Sequence, residues 1–379
     1  MKNAMTEEIT KKLGFGCMRL PVTDGVSEHI DDAAFCKMID TYLERGFNYF
    51  DTAFPYHNQK SEEAVRRCLV ERYPREKFLL ADKMPVWLVK EYADFEKYFQ
   101  MQLERCGVEY FDFYLLHAMG KERMKEMEER GAFEFLAKMK AEGRIRHAGF
   151  SFHDTADVLD EILTNHPEFE FVQLQINYYD WDSDSVQSGK CYEVAVKHHI
   201  PVIVMEPVKG GTLSNLIGKP ADVLKAQNEK ASYASYAVRF AASLDNVMVV
   251  LSGMSNEEQL EDNTSYMEQF KPLNDTEQQA IREVVEELRK LPTIACTKCR
   301  YCVDGCPQKI LIPDQFEAYN LMIQFGDTPA MRQSYKWAVG EPEHGKASAC
   351  IRCGKCEKQC PQHLPIRELL AKMAEVYEK

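Results

Sequence analysis

One motif occurs twice near the C-terminal end of this 379-residue chain. The first copy runs Cys296-Thr-Lys-Cys299-Arg-Tyr-Cys302-Val-Asp-Gly-Cys306-Pro307, the second Cys350-Ile-Arg-Cys353-Gly-Lys-Cys356-Glu-Lys-Gln-Cys360-Pro361. Both read C-x2-C-x2-C-x3-C-P. Eight of the 13 cysteines thus lie between 296 and 360. The other five, Cys17, Cys36, Cys68, Cys106 and Cys191, sit in apolar contexts expected of small buried side chains. A disulfide scaffold is usually short and follows a leader peptide. Here the first residues, MKNAMTEEITKKLGFG, show no apolar leader core. The tight spacing lets three thiolates wrap three corners of one iron–sulfur cubane, while the fourth, followed by proline, turns toward a second. The motif therefore predicts two [4Fe–4S] clusters, one held by Cys296, Cys299, Cys302 and Cys360, the other by Cys350, Cys353, Cys356 and Cys306. Zinc, the competing metal, usually takes two separated C-x2-C pairs.

This segment resembles the two-cluster ferredoxin-type domain. The 43 residues between Cys306 and Cys350 exceed what a compact ferredoxin needs, and they include a helical run, DQFEAYNLMIQF, as in the helical ferredoxin variants. Lys298, Arg300, Arg352, Lys355 and Lys358 interleave with the ligands. Cations there offset cluster charge and favour the reduced state, or else they are solvated residues on tight loops.

Charge separates this stretch from the rest. Residues 291–379 carry 12 Lys/Arg against 10 Asp/Glu, whereas the preceding residues carry 35 against 50. The whole chain is at −13, which argues against a nucleic-acid surface. No apolar run approaches the roughly 18 residues of a membrane helix, so a cytoplasmic protein without a membrane partner is expected. A last helix is predicted over about 276–290, with Asp275 as N-cap, Gln278 as its capping-box partner and Pro292 closing it. The expected domains are 1–290 and 291–379.

Upstream, short apolar runs alternate with amphipathic stretches. Eight candidate strands are visible: 13–18, 47–51, 78–83, 111–117, 146–151, 171–177, 201–206 and 247–252. Several are continuously apolar, as in parallel sheets buried on both faces. Between them lie helical patterns such as DDAAFCKMIDTYLERG and SEEAVRRCLVERY. Eight such units predict an α/β fold, a (β/α)8 TIM barrel, followed by the small, mainly helical iron–sulfur domain. A doubly wound open sheet is the rival, but Gly14-x-Gly16 lacks the third glycine of a dinucleotide fingerprint.

Three ionisable residues end successive strands: Asp51, Lys83 and His117, with Tyr56 five residues beyond Asp51. Charged groups on apolar strands are costly unless paired. At strand C-termini they converge on the face where such barrels hold their active sites. The motif Asp51-Thr52-Ala53-x-x-Tyr56, followed by Lys83 and His117, resembles the tetrad of the aldo-keto reductase superfamily, and the likeness covers residues 10–270. The whole chain resembles aldo-keto reductases with a C-terminal ferredoxin-type domain. The resemblance implies NAD(P)H-dependent reduction of an aldehyde or ketone. Tyr56 would donate the proton, Lys83 would lower its pKa, Asp51 would hold Lys83 charged, and His117 would orient the substrate oxygen.

The same resemblance implies an NADP or NAD site at Gly16, Cys17, Asp51, Ser151, Gln175, Met205, Glu206, Gly210, Gly253, Gln259 and Asn263. Ser151 and Gln175 match the nicotinamide carboxamide positions, and Asn263 the adenine-side Asn. Five positions, Phe152, Met205, Glu206, Gly253 and Gln259, depart from the pattern. Phe152 replaces an Asn, Met205 replaces the stacking aromatic, and Gly253 and Gln259 replace the cations that grip a 2′-phosphate. Glu206 must turn from a pyrophosphate, toward Lys209. Gly210 and Gly211 suit a turn or a phosphate loop. Trp87, Tyr178 and Trp181 are candidates to line an apolar substrate pocket or to pack ordinary loops.

Hydride moves two electrons and a [4Fe–4S] cluster moves one, so the halves have no direct exchange without a mediator such as a flavin. Three readings follow. The first is a carbonyl reductase whose clusters serve electron transfer, structure or sensing. The second is an electron-transfer oxidoreductase fed by an external one-electron carrier such as a ferredoxin or flavodoxin. The third is a non-enzymatic redox-sensing module on a vestigial barrel.

Overall fold

The computed structural model describes residues 4–184, 186–296, 300–340, 342–360 and 362–379. Eight strands form a closed, all-parallel barrel in chain order. They are β1 Leu13–Gly16, β2 Tyr49–Asp51, β3 Leu79–Met84, β4 Phe111–Met119, β5 Ile145–Phe152, β6 Phe171–Gln175, β7 Val202–Met205 and β8 Val247–Gly253. Pairing of β8 with β1 removes the sheet edge and excludes the open doubly wound alternative.

Period-two alternation sorts the side chains. Tyr49, Ala81, Phe113, Phe171, Ile203 and Val249 pack together as one buried cluster. Their neighbours Phe50, Leu80, Tyr114, Val172, Val204 and Val250 belong to the larger cluster that also holds the helices. Continuously apolar strands are thus two alternating sets, each with its own core. The barrel closes tightly enough to require glycine at Gly149, where a Cβ would stand 2.5 Å from the Phe171 carbonyl oxygen.

Helix Asp32–Glu44 starts where Asp31 accepts from the Ala34 N–H. The SEEAVRRCLVERY pattern holds only one α-turn, Ser61–Val65, before widening into a π-helical segment, Arg66–Val70. Cys17, Cys68, Cys106 and Cys191 are buried in the core, as their contexts suggested, whereas Cys36 on helix Asp32–Glu44 is only half-buried.

The last helix of the expected barrel, Asp275–Arg289, is capped one residue earlier than its sequence suggests. Asn274 Oδ1 accepts from Glu277 N at 2.9 Å, and Glu277 Oε2 accepts from Asn274 N at 2.9 Å. Asn274 and Glu277, not Asp275 and Gln278, therefore form the capping box. Both pairs satisfy the spacing rule, and the carboxylate that reaches back to the cap decides between them.

By packing, the chain forms two compact units: Met1–Lys209 with Ala234–Gln278, and Gly210–Tyr233 with Gln279–Lys379. Within the second unit, helices Ile312–Phe325, Pro329–Val339 and Ile366–Tyr377 and two short turns, Tyr301–Asp304 and Lys355–Gln359, surround a small core. Ile310, Phe316, Tyr319, Leu370 and Met373 bury it together with Cys302 and Cys356. Its described residues from 279 onward contain no strand, so it is helical as the long insert predicted. No helix among the described residues is long and apolar enough to cross a membrane.

Candidate active site and cysteine cavities

The strand ends bring the tetrad together inside the barrel. Asp51 closes β2, Lys83 lies in β3, His117 lies in β4, and Tyr56 follows in the turn after β2. Lys83 Nζ donates to Asp51 Oδ1 at 2.6 Å, to Thr52 O at 2.9 Å and to Tyr56 Oη at 3.2 Å. Lys83 is fully buried and Asp51 is 2% exposed. An isolated charge there would be prohibitive, so the ammonium is tolerable only because all its protons have acceptors. Burial alone would pull the Lys83 pKa down, and Asp51 and Tyr56 hold it above the ordinary lysine value instead.

For Tyr56 the balance runs against the sequence expectation. Lys83 does favour the phenolate, but burial outweighs it and, with Asp51 nearby, leaves the phenol above its ordinary value. The resting side chain is therefore a protonated donor. Burial, followed by the charges of Lys83, His153 and Arg123, pushes His117 well below the ordinary imidazole value, so it is neutral. Its ring stands edge-on to Tyr56, with centroids 6.2 Å apart, and 5.3 Å from the Trp87 ring. His117 Nδ1 is buried with no hydrogen-bond partner. A buried polar atom without a partner points to an occupant that completes it.

Strand pattern could have revealed two further members. Gln173 interrupts the apolar β6 at an inward position, and its Nε2 donates to Asp51 Oδ2 at 3.1 Å. The adjacent charges Asp82 and Lys83 must face opposite sides of β3. Asp82 shares a hydrogen bond with the buried Glu62, whose carboxylate also meets Arg105 at 3.1 Å. Behind the strand, Gln102 donates to Lys83 O at 2.9 Å, so the lysine is fixed from both sides.

The predicted nucleotide positions divide. Gly16, Asp51 and Gly253 meet at the ends of β1, β2 and β8. Cys17 is buried and electrostatically coupled to Asp51, Lys83 and Tyr56. Ser151 accepts from Ala118 N at 2.8 Å, which leaves its own O–H to donate. Gln175 lines a cavity with Phe152, His153, Asp154 and Cys191. Met205 pairs in register with Gln175. Glu206 adopts a left-handed φ of 57° and meets Arg19 at 3.5 Å. It does not turn to Lys209, which is bound to Asp180 at 2.8 Å. Gly210, in the second unit, occupies a left-handed turn with Gly211. Gln259 caps its own helix by accepting from Ser255 N, and Asn263 is committed to Ser252 Oγ at 2.6 Å and Tyr266 Oη at 2.5 Å. Ser151 and Gln175 offer the donors and acceptors that a carboxamide takes, whereas the Asn263 side chain is already engaged. Tyr178 and Trp181 pack on Phe240, whereas Trp87 is 42% exposed beside His117.

In the second unit, Cys306, Cys350, Cys353 and Cys356 line one cavity. Cys296, Cys302 and Cys360 line another, and Cys299 lies outside the described residues, as do Lys298 and Pro361. Ile312 lines both cavities. Cys306 thus stands with the second motif's first three cysteines, and Cys360 stands with Cys296 and Cys302 of the first. Among the described residues no three Cys, His, Asp or Glu side chains form a site for a single metal ion. Soft thiol donors spread around a cavity instead fit a larger cluster. Arg300 lines the second cavity and pairs with Asp314 at 3.0 Å; Lys355 and Arg367 line the first, while Arg352 and Lys358 are exposed.

Comparison with known proteins agrees with this geometry. The profile of the "Aldo/keto reductase family" matches residues 12–286. The chain belongs to the aldo/keto reductase family. A second profile, "4Fe-4S dicluster domain", matches residues 295–364, so this aldo/keto reductase also carries an iron–sulfur domain. It is 26% identical over 273 residues to the uncharacterized oxidoreductase C215.11c of Schizosaccharomyces pombe, covering 67% of this chain and 81% of that one. Aldo-keto reductase AKR11C1 from Bacillus halodurans, in its holo form, matches with a TM-score of 0.56 at 24% identity, over 72% of this chain and 91% of that one. An aldo-keto reductase from Klebsiella pneumoniae in complex with NADPH matches with a TM-score of 0.56 at 19% identity, over 72% and 90%.

Proposed function

We propose that this aldo/keto reductase reduces an aldehyde or ketone with NAD(P)H, using Tyr56 as general acid. Residues 1–290 then form the reductase and 291–379 the cluster domain. The observation that carries the reading is the Asp51–Lys83–Tyr56 chain, with links of 2.6 and 3.2 Å, ending beside the unpartnered Nδ1 of a neutral His117. The bound cofactor supplies the hydride. Tyr56 gives its Oη proton to the carbonyl oxygen, and the product is the alcohol. As the phenol loses its proton, the fully buried Lys83 meets the developing negative charge. Asp51, held also by Gln173, keeps the lysine charged and aimed. His117, being neutral, offers one hydrogen bond to the same carbonyl oxygen without competing as an acid. Ser151 and Gln175 would orient the carboxamide. The NADPH of the Klebsiella pneumoniae relative supports this cofactor class.

The test is carbonyl-dependent oxidation of NADH and NADPH by wild-type and Tyr56→Phe proteins. The phenylalanine variant should lose about 10²- to 10⁴-fold in kcat. Turnover by it at the wild-type rate overturns the assignment.

The eight cysteines hold two [4Fe–4S] clusters in this reading, with an electron-transfer, structural or sensing role. Cys353, the one exposed ligand among those described, favours exchange with an external one-electron carrier such as a ferredoxin or flavodoxin. Anaerobic addition of NADH, NADPH and dithionite to reconstituted protein, followed by EPR, separates the roles. A reduced-cluster signal from dithionite alone means that nicotinamide does not fill the clusters directly, so a structural, sensing or externally fed role is tested next. The same signal from a nucleotide means that barrel and clusters share electrons.

A further inference from the structure

Next to the tetrad histidine's strand end lies an exposed arginine, Arg123, that pairs with no carboxylate among the described residues. Arg123 sits in the first turn of helix Lys121–Glu129. A cation is disfavoured at that end of a helix, where the backbone already presents partial positive charge. Its side chain turns back, and Nη1 donates to Ala118 O at 2.7 Å. Ala118 follows His117 directly and holds a left-handed φ of 57°, a conformation a β-carbon makes costly. The clasp therefore fixes the guanidinium one residue from the tetrad histidine.

The barrel is acid-rich, and its arginines are generally paired. Arg45 meets Glu261, Arg67 meets Asp32, Arg75 meets Asp112, and Arg239 meets Glu277, all at 2.6 Å. On the helix of Arg123 itself, Lys125 pairs with Glu129, and Arg130 at its end pairs with Glu126. Arg123 has no such partner among the described residues. Two imidazoles stand near it. His117 lies in β4, and His153, just past β5, donates its backbone N–H to Met119 O at 3.0 Å. Both rings are held below their ordinary pKa, by burial first and in part by the charge of Arg123. The acid whose charge reaches His153 is Glu206, and it pairs with Arg19 at 3.5 Å. The apolar wall is Trp87, whose ring is tilted 57° to that of His117 with centroids 5.3 Å apart.

We propose that the substrate is an oxo acid: its carbonyl oxygen takes the Tyr56 and His117 hydrogen bonds, its carboxylate takes the free face of Arg123, and the apolar chain between them lies on Trp87. This rests on the carbonyl-reductase reading above and adds the class of compound. Arg123 is then a specificity-determining residue. A guanidinium already bonded through one nitrogen keeps its remaining N–H donors for a carboxylate. A neutral ester of the same shape forfeits that charge-assisted contact. Loss of one such contact is worth about 10- to 100-fold.

Two probe pairs with different reach test the proposal: 4-oxobutanoate and 4-carboxybenzaldehyde, each against its methyl ester. In wild-type holoenzyme, kcat/KM should favour the acid over the ester by about 10-fold or more in at least one pair. The preference should collapse toward unity in Arg123→Met and recover in part in Arg123→Lys. Lys125→Met, which removes a cation from the same helix outside the site, should keep the wild-type preference. An acid-to-ester ratio near one in both pairs, or a ratio that Arg123→Met leaves unchanged, overturns the proposal. Calorimetric binding of 4-carboxybenzaldehyde and its ester to the Tyr56→Phe protein loaded with NADPH gives a readout without turnover. If wild type turns over neither probe of either pair yet the acid binds in an Arg123-dependent way, carbonyl reduction of these probes fails and the anion site stands. If turnover is seen without acid preference, reduction stands and the anion site fails.

Discussion

The barrel lumen and the cysteine unit hold charge in opposite ways. In the lumen, Lys83 and Asp51 are sealed from water, and each is satisfied by neighbours from different strands. In the cysteine unit the charged or ligating groups come from two short loops, and one of them, Cys353, is exposed. The first arrangement suits chemistry that must exclude water. The second suits a centre whose stability comes from what it binds and whose electrons must reach a partner. The difference teaches where perturbation will be felt. Damage to the lumen should cost both fold and turnover; damage to a cysteine loop should cost a cluster and leave the barrel standing.

The largest effect should come from Lys83→Met. It strips the cation from Asp51 and leaves a buried carboxylate with Gln173 alone, at a cost of about 3–5 kcal/mol. Thermal unfolding should show that loss, and carbonyl turnover should fall by at least about 10²-fold, as for Tyr56→Phe. The double variant Asp51→Asn/Lys83→Met separates the two consequences. With no uncompensated charge, stability should largely return while activity does not. If activity returned as well, Lys83 would have no part in proton transfer.

Cys356→Ser sharpens the other side. It removes a ligand from the cavity that also holds Cys306, Cys350 and Cys353. Iron per chain should fall by half, and one of two reduced-cluster EPR signals should vanish. Barrel unfolding should keep its midpoint. A variant that lost all its iron would instead mean that the two sites, which share Ile312 as a wall, assemble together.

These two experiments follow how legible each region was. The tetrad could be found because Asp51, Lys83 and His117 punctuate apolar strands, and parallel strands must bring their C-terminal ends to one face. The cysteine spacing was equally direct. What escaped sequence reading lies in loops or depends on competition. Arg123 and His153 sit beyond strand ends in ordinary polar surroundings, and only the closed barrel brings them beside His117. The turn of Glu206 toward Arg19 rather than Lys209 depends on Asp180 having taken the lysine first. Asn274 and Asp275 are both good caps, and a single residue of difference was decided by the reach of Glu277. The Tyr56 phenol shows the same limit in energy. Lys83 pulls it down as expected, but burial, which sequence does not measure, pulls harder.

The smallest effect concerns acid stability, and it compares the regions on one axis. Glu170, between β5 and β6, accepts from Ala148 N at 2.9 Å and is bound to Lys140 and His147. Burial alone would raise its pKa, but the bonds from His147, Lys140 and Ala148 outweigh it and bring the group down to about 2. A carboxylate depressed on folding contributes stability above its unfolded pKa, near 4.5, and loses it as pH falls toward the folded value. The side chain is 31% exposed, so solvent screening cuts the contribution to roughly 1–2 kcal/mol. Glu170→Gln should therefore lower barrel stability by that amount at pH 7. The gap between variant and wild type should close between about pH 4.5 and 2, followed by tryptophan fluorescence or circular dichroism. Visible absorbance of the clusters should bleach at the same pH in both proteins, because thiolate protonation and iron loss belong to the cysteine loops. A shift of the bleaching midpoint with the variant would mean that barrel unfolding, not thiolate protonation, releases the iron.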